Sequence, residues 1–311
     1  MNKDSSTDLY GLIGYPVKHS LSPAMHNAAF KAKNINAEYR LFEIKPQDLE
    51  DFLLKPDKEI KDTNSNTVWA EDIKGFNITI PHKVRAKEIL DNTKLLGDRP
   101  IIVRDEYIAA IAGAINTVKK DQERIYYTNT DARGFLRSLK EDLQFTSKDN
   151  DILLIGCGGA GRAVVAGLSG LDRSILKKVH IYEINEKIRL SASEHFSQIS
   201  HLDGRWEFIS QEQIPEAVKK CQLLINASPV GMKDGDQPVI DIKLLRKDLF
   251  VYDVVYNRET KLVKEARLLR APATGGLGML LYQGVVAWEL WTGQKAPVDV
   301  MRQALEKELN K

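Results

Sequence analysis

The chain has 311 residues, with 45 basic and 43 acidic side chains and a formal net charge of +2. Hydrophobic residues make up 43% and charged residues 28%, a globular composition with room for about two domains of ~150 residues each. The charge balance gives no electrostatic case for nucleic acid or an anionic membrane as partner.

Cys157 and Cys221 stand apart from each other and from any histidine cluster, which argues against a disulfide framework or a zinc site. The N-terminal stretch lacks the apolar core of a signal peptide. The longest apolar run is too interrupted for a membrane span. A cytoplasmic, metal-independent protein is the expectation.

In chain order, the apolar runs "YGLIG" (10–14), "EYRLFEI" (38–44), "GFNITI" (75–80), "DILLIG" (151–156), "KVHIYE" (178–183), "QLLINAS" (222–228) and "LFVYDVVY" (249–256) read as strands. Helical patterns cover 23–33, 82–91, 132–143, 160–171, 187–196 and 260–269. This alternation predicts an α/β protein with parallel sheets. The polar stretch "QFTSKDN" (144–150) precedes the cleanest buried strand, so a domain junction is expected at or somewhat before it. The apolar segment "LGMLLYQGVVAWELWTG" (277–293) predicts a long helix that needs an apolar surface to cover it.

"HSLSPAMHN" sets Ser20 and Ser22 ahead of the first helix. Ser22 before Pro23 reads as an N-cap followed by a proline at the first helical position. Ser20 is not needed for that cap. Two hydroxyls at i and i+2 on an extended segment share a side and could grip a carboxylate or a diol together.

In "NITIPHK", Pro81 fits the first helical position and Lys83 the first turn. An exposed lysine is the bland reading. Against it, the helix dipole disfavours a cation there by about 0.3–1 kcal/mol, which suits a group that must give and take a proton. Asn116 in "AGAINT" and Asp131 in "TNTDARGF" read singly as a turn residue and the cap of a helix starting at Ala132.

"GCGGAG" (156–161) matches G-x-G-x-x-G, directly after a buried strand and at the start of a helix. In that context the glycines permit a tight turn, and the backbone N–H groups can approach a pyrophosphate. Glu183 ends the next strand, 27 positions after Gly156. An acid there accepts ribose hydroxyls and repels a 2′-phosphate, which favours NAD over NADP. Lys187 and Arg189 follow closely and could instead serve a phosphate.

Together, "HSLSPAMHN", "NITIPHK", "AGAINT", "TNTDARGF", "GCGGAGRA", "NASPVGM" and "GLGMLLYQGVVAWELWTG" resemble the shikimate dehydrogenase family along nearly the whole chain. The resemblance implies an N-terminal α/β substrate domain (1–127), completed by C-terminal helices (277–311), and a Rossmann-type dinucleotide-binding domain (128–276). It implies reversible, NAD- or NADP-dependent interconversion of 3-dehydroshikimate and shikimate, by a monomer or homodimer. By position, Lys83 and Asp131 match the catalytic pair. Ser20 and Ser22 match the substrate-carboxylate pair, and Thr79, Asn116, Tyr256 and Gln283 match further substrate contacts. Gly156, Gly158, Gly159 and Ala160 match the phosphate-binding turn, and Val254 and Gly276 match positions lining the nicotinamide.

Four departures stand out. Tyr127 replaces a usual glycine, Arg258 stands near a usual proline, and residues 97–109 exceed the usual connection. Glu183-Ile184-Asn185 replaces the basic stretch of NADP-using members and looks more like the NAD-using shikimate/quinate branch. Quinate oxidation is therefore the alternative activity. A cofactor-binding sensor without turnover is the alternative of another class, and the presence of both Lys83 and Asp131 weighs against it.

Overall fold

The computed structural model describes residues 7–96, 98–103, 106–146, 150–171, 176–199 and 204–310. The chain divides into two compact units. One comprises Met1–Thr130 with Gln283–Lys311, and the other Asp131–Tyr282.

The first unit runs β1 (Asp8–Gly14), α1 (Ser22–Ala32), β2 (Ala37–Glu43), α2 (Leu49–Leu54), β3 (Glu59–Lys61), β4 (Thr67–Trp69), β5 (Ile73–Ile78), α3 (Lys83–Asp91), β6 (Leu95–Leu96), β7 (Arg99–Val103), α4 (Glu106–Ala112), β8 (Thr117–Lys120) and β9 (Ile125–Thr128). Its main sheet has the order β2-β1-β5-β8-β9-β7-β6, and β3 and β4 form a separate antiparallel pair. β1 pairs in parallel with β2 and β5 on either side. That central position accounts for its near-continuous burial.

The sheet is mixed rather than parallel, because β8 runs antiparallel to both β5 and β9. The β8–β9 hairpin was hidden in the charged string "KKDQER". Its turn is closed by Asp121, whose carboxylate accepts from the N–H groups of Glu123 and Arg124 at 3.0 and 2.7 Å. An aspartate collecting local N–H groups replaces the more recognisable glycine turn. Ile13, Phe42, Phe52, Phe76, Ile78 and Ile115 belong to the core, with Phe52 edge-on to Phe76 at 5.1 Å.

The second unit runs α5 (Asp131–Glu141), β10 (Asn150–Ile155), α6 (Gly159–Ser169), β11 (Leu176–Tyr182), α7 (Glu186–Ser197), β12 (Trp206–Phe208), α8 (Ile214–Lys220), β13 (Leu223–Asn226), β14 (Phe250–Asp253), α9 (Lys261–Leu268) and β15 (Ala273–Thr274). Its sheet has the order β12-β11-β10-β13-β14-β15, with every pairing parallel. Counted within the unit, this is 3-2-1-4-5-6, the doubly wound order that reverses beside the first strand. Leu153, Leu224 and Val251 are fully buried on three neighbouring strands of it.

The helix expected at 277–293 is α10 (Leu277–Thr292), and α11 (Val298–Leu309) follows. The boundary between units falls inside α10, at Tyr282/Gln283. Its C-terminal half finds its apolar cover in the first unit. Trp288 is fully buried there, the Trp291 ring lies 5.2 Å from Tyr10, and Trp291 Nε1 donates to the Val118 carbonyl at 2.9 Å. Among the described residues, no helix is long and apolar enough to cross a membrane.

Candidate active site

In the first unit, strand direction brings the expected residues to one edge of the sheet. β1 and β5 are parallel, so both deliver their C-terminal ends there. β8 is antiparallel to β5, with Asn77 opposite Thr117, and therefore delivers its N-terminal end. β9 returns Thr128 opposite Thr117. Thr79, Asn116 and the segment 129–130 thus emerge together. The backbone confirms the seam: Thr79 N donates to Ile13 O, Ile78 N to Asn116 O, and Asn116 N to Thr128 O, at 2.8–3.1 Å.

Lys83 is the first residue of α3. Its carbonyl accepts from Ile115 N at 3.0 Å, which ties the helix start to the "AGAINT" segment. Pro81 is not at the first helical position as expected. It precedes His82, the residue that opens the helix in αR geometry. The His82 ring, which bonds Ile44 O at 2.7 Å, anchors this bend under the sheet edge.

The two serines exchange the expected roles. Leu21, not Ser22, is the N-cap of α1, and Ser22 is already helical. It is the Ser20 hydroxyl oxygen that accepts the Ser22 N–H, at 3.2 Å. Leu21 sits in αR geometry, so the chain turns one residue early and the upstream hydroxyl reaches the free N–H. Ser20 therefore keeps its own proton available to a ligand.

Behind this edge lies a buried polar network. Asn116 Oδ1 accepts from Thr130 N at 2.7 Å, and its amide donates to Thr130 Oγ1 at 3.0 Å and to Gln283 Oε1 at 3.3 Å. Asn77 donates to Thr117 Oγ1 at 2.9 Å and accepts from the Tyr39 hydroxyl at 2.9 Å. Asn116 and Gln283, 167 positions apart in sequence, meet here. Sequence reading missed Tyr39, Asn77, Thr117 and Thr130. A strand whose inward side carries asparagine and threonine where apolar residues are expected is the signal that could have found them.

In the second unit the parallel strands also present their C-terminal ends along one edge, and the glycine-rich turn sits on β10. Gly156 has φ +93°, and a Cβ there would lie 2.7 Å from Ser228 N. Both the backbone and the space require glycine. Gly158 differs: a Cβ would meet nothing within 4 Å. Packing among the described residues does not demand glycine there, and the open space is what close approach of a ligand to the backbone requires. Gly158 is the N-cap of α6 and no side chain caps the helix. The first-turn N–H groups of Gly159 and its successors thus form an anion site without a side-chain competitor. These features fit a dinucleotide pyrophosphate.

Glu183 follows β11. One carboxylate oxygen accepts from Cys157 N, inside the glycine turn, at 2.7 Å. The other accepts from Asn185 N at 2.8 Å. The acid is thereby fixed beside the turn. Ile184 next to it is 82% exposed.

Val254 and Gly276 come together as expected. A Cβ on Gly276 would lie 2.0 Å from the Val254 carbonyl oxygen, and Gly276 N donates to Val255 O at 3.0 Å. This loop is braced by Asp253, which accepts from Asn226 Nδ2, Val255 N and Thr260 Oγ1 at 2.7–3.0 Å. Burial raises the Asp253 carboxyl above its usual range, and the three donated bonds oppose that. Burial likewise raises the Tyr256 phenol.

Asp131 opens α5, one residue before the expected helix start, and is buried. It directly follows Thr130, whose N–H is held by Asn116.

The departures also find places. Tyr127 is buried and its hydroxyl donates to Asp91 Oδ1 at 2.5 Å, bracing the far end of α3. Arg258 pairs with Asp234. Of the segment 97–109, Gly97, Arg104 and Asp105 lie outside the described residues, Asp98 lies in a turn, and the rest forms β7 and the start of α4. Among the described residues, no group of three His, Cys, Asp or Glu side chains could hold a metal ion.

Known proteins share this arrangement. Residues 12–118 match the shikimate dehydrogenase substrate binding domain, and residues 276–306 match the shikimate 5′-dehydrogenase C-terminal domain. The shikimate dehydrogenase (NADP(+)) of Methanopyrus kandleri is 36% identical over 98% of this chain and 97% of its own. The chain belongs to the shikimate dehydrogenase family. Among solved structures, a shikimate dehydrogenase in complex with NADP+ is 31% identical, with TM-score 0.79 over 98% of this chain and 96% of that one. The quinate dehydrogenase of Corynebacterium glutamicum in complex with NAD is 27% identical, with TM-score 0.78 over 97% and 99%. The chain is thus an NAD(P)-dependent oxidoreductase of the two-domain α/β class.

Proposed function

We propose that this enzyme interconverts shikimate and 3-dehydroshikimate, with the first unit holding the acid and the second the dinucleotide. What supports the reading is family membership together with the seam at one edge of the first sheet, where Asn116 bonds Thr130 and Gln283, Thr79 follows β5 and Lys83 opens α3. Ser20 donates its free proton to the substrate carboxylate, and Ser22 completes that contact. Thr79, Asn116 and Gln283 bind ring hydroxyls.

In the oxidative direction the Lys83 amine takes the proton of the C3 hydroxyl, and in reduction its ammonium returns it. Asp131 accepts a hydrogen bond from the same hydroxyl and orients it. The bound nicotinamide supplies the hydride acceptor or donor at C3. Gly156, Gly158, Gly159 and Ala160 would hold the pyrophosphate, and Val254 and Gly276 would serve the nicotinamide.

Glu183 favours NAD, in contrast with the relatives named for NADP(+). Its carboxylate is fixed beside the turn, where a 2′-phosphate would meet like charge. Serine at position 22 favours shikimate over quinate. The solved quinate dehydrogenase with NAD keeps quinate as the second reading.

Steady-state kinetics with shikimate and quinate, each with NAD and NADP, tests all of this. We expect the highest kcat/KM for shikimate with NAD. In Glu183→Ala, NADP should gain relative to NAD by about 10-fold, equivalent to about 1.4 kcal/mol. Equal or better use of NADP by the wild type refutes the cofactor assignment. A preference for quinate refutes the substrate assignment.

A further inference from the structure

We propose that Tyr39, on β2, is a positioning residue for acid recognition: it holds Ser22 in register with Asn77, Thr117 and Asn116, so that the acid-binding edge acts as one unit. The inference rests on the proposed substrate reading and deepens it.

The Tyr39 backbone is clamped on both sides by Asn27. Asn27 Nδ2 donates to Tyr39 O at 3.1 Å, and Tyr39 N donates to Asn27 Oδ1 at 2.7 Å. The ring is 2% exposed and stacks on His26 at 4.3 Å with 15° between planes. Ser22 and His26 stand at i and i+4 on α1 and therefore share one helix face. That face rests on Tyr39 through the His26 stack, which sets the Ser22 hydroxyl one turn along beside the same side chain.

The direction of each proton follows from the network. Asn77 uses its amide protons on Thr117 Oγ1 at 2.9 Å and Asn116 O at 3.2 Å. Its oxygen must therefore face Tyr39, and the phenol donates to it at 2.9 Å. With that proton committed, the phenol oxygen is left to accept from the Ser22 hydroxyl, the pairing proposed for it. When an acid draws the Ser22 proton, the phenol can turn its own proton from Asn77 to Ser22. A hydroxyl can accept and donate in turn. Phenylalanine fills the same space and can do neither.

The test is a double-mutant cycle with Tyr39→Phe, Ser22→Ala and the pair. It reads KM for shikimate, KM for the dinucleotide, kcat and the melting temperature. We expect Tyr39→Phe to raise the shikimate KM about 3–10-fold, the scale of one hydrogen bond. Both kcat and the dinucleotide KM should stay within about two-fold, and the Ser22→Ala background should suppress the effect.

An unchanged shikimate KM overturns the inference, as does a full effect in Ser22→Ala or a parallel rise in the dinucleotide KM. If Tyr39→Phe does not fold, 3-fluorotyrosine placed at position 39 keeps the shape and sharpens the phenol proton. A shikimate KM that shifts only when Ser22 is present supports the inference, and one that does not shift overturns it. A wild type that turns over no shikimate refutes the substrate reading and this inference together. A wild type that does so with an indifferent Tyr39 refutes this inference alone.

Discussion

The proposed acid-binding edge of the first unit and the glycine-turn edge of the second are built from different materials. The first uses side chains: Asn77, Asn116, Thr117, Thr130 and Gln283 form a buried polar layer in which each group fixes the next, and the half-buried Ser20 hydroxyl takes the Ser22 N–H. The second relies mostly on backbone. Its site features are a left-handed glycine, an open glycine, an uncapped helix start and a carboxylate anchored by two N–H groups. A ring acid with several hydroxyls demands specific partners at specific points, whereas a pyrophosphate needs N–H groups and room. Side-chain truncation should therefore injure the first edge, and side-chain addition the second.

The largest difference should appear in acid. His26 lies in the first unit's buried layer, stacked on Tyr39 and beside the Trp291 ring, which is tilted by 47°. Neither ring nitrogen has a hydrogen-bond partner among the described residues. Burial lowers its pKa from 6.5 to about 3. The folded protein thus holds the ring neutral, while the unfolded chain protonates it below about 6.5. Stability is full above that value and falls as the pH drops toward 3, at about 1.4 kcal/mol per pH unit for this one group. Denaturant titrations between pH 7 and 4.5 check this. His26→Phe should lose that part of the slope, and an unchanged slope would show that the ring is not buried neutral.

Next in size is Ser20→Ala. Loss of a hydrogen bond to a carboxylate costs about 1.5–3 kcal/mol. The shikimate KM should rise about 10-fold or more, with the dinucleotide KM unchanged. A rise in both would break the comparison between the two edges.

The smallest effects separate two glycines of one turn. Gly156→Ala should cost about 1–3 kcal/mol of stability, through its positive φ and the backbone of Ser228. Gly158→Ala should leave the melting temperature near that of the wild type and raise the dinucleotide KM severalfold. If Gly158→Ala binds the dinucleotide normally, the open space there is not a ligand's.

Sequence made the second unit's edge legible because its signals are local. Three glycines, the strand before them and an acid at the next strand end lie within 34 residues, Asn150 to Glu183, and backbone sites need no distant partner. The first edge was legible only in pieces. Ser20, Lys83 and Asn116 drew notice through helix starts and turns, but nothing in the sequence joins Asn116 to Gln283 across 167 positions. Tyr39 and Asn77 looked like ordinary strand residues, since a buried polar side chain is explained only by its partner. The cap assignment failed for a physical reason too. Proline at 23 fits both the first and second helical positions, and the choice between Ser20 and Ser22 depends on the αR turn at Leu21.

The account centres on Lys83 as the group that moves the proton. The most direct measurement pairs shikimate binding by calorimetry with kcat for shikimate oxidation, in the wild type and in Lys83→Ala. The account predicts a dissociation constant within about threefold and a kcat lower by about 10²–10⁴-fold, the range for loss of a positioned acid–base group. A Lys83→Ala enzyme with near-normal kcat would contradict it.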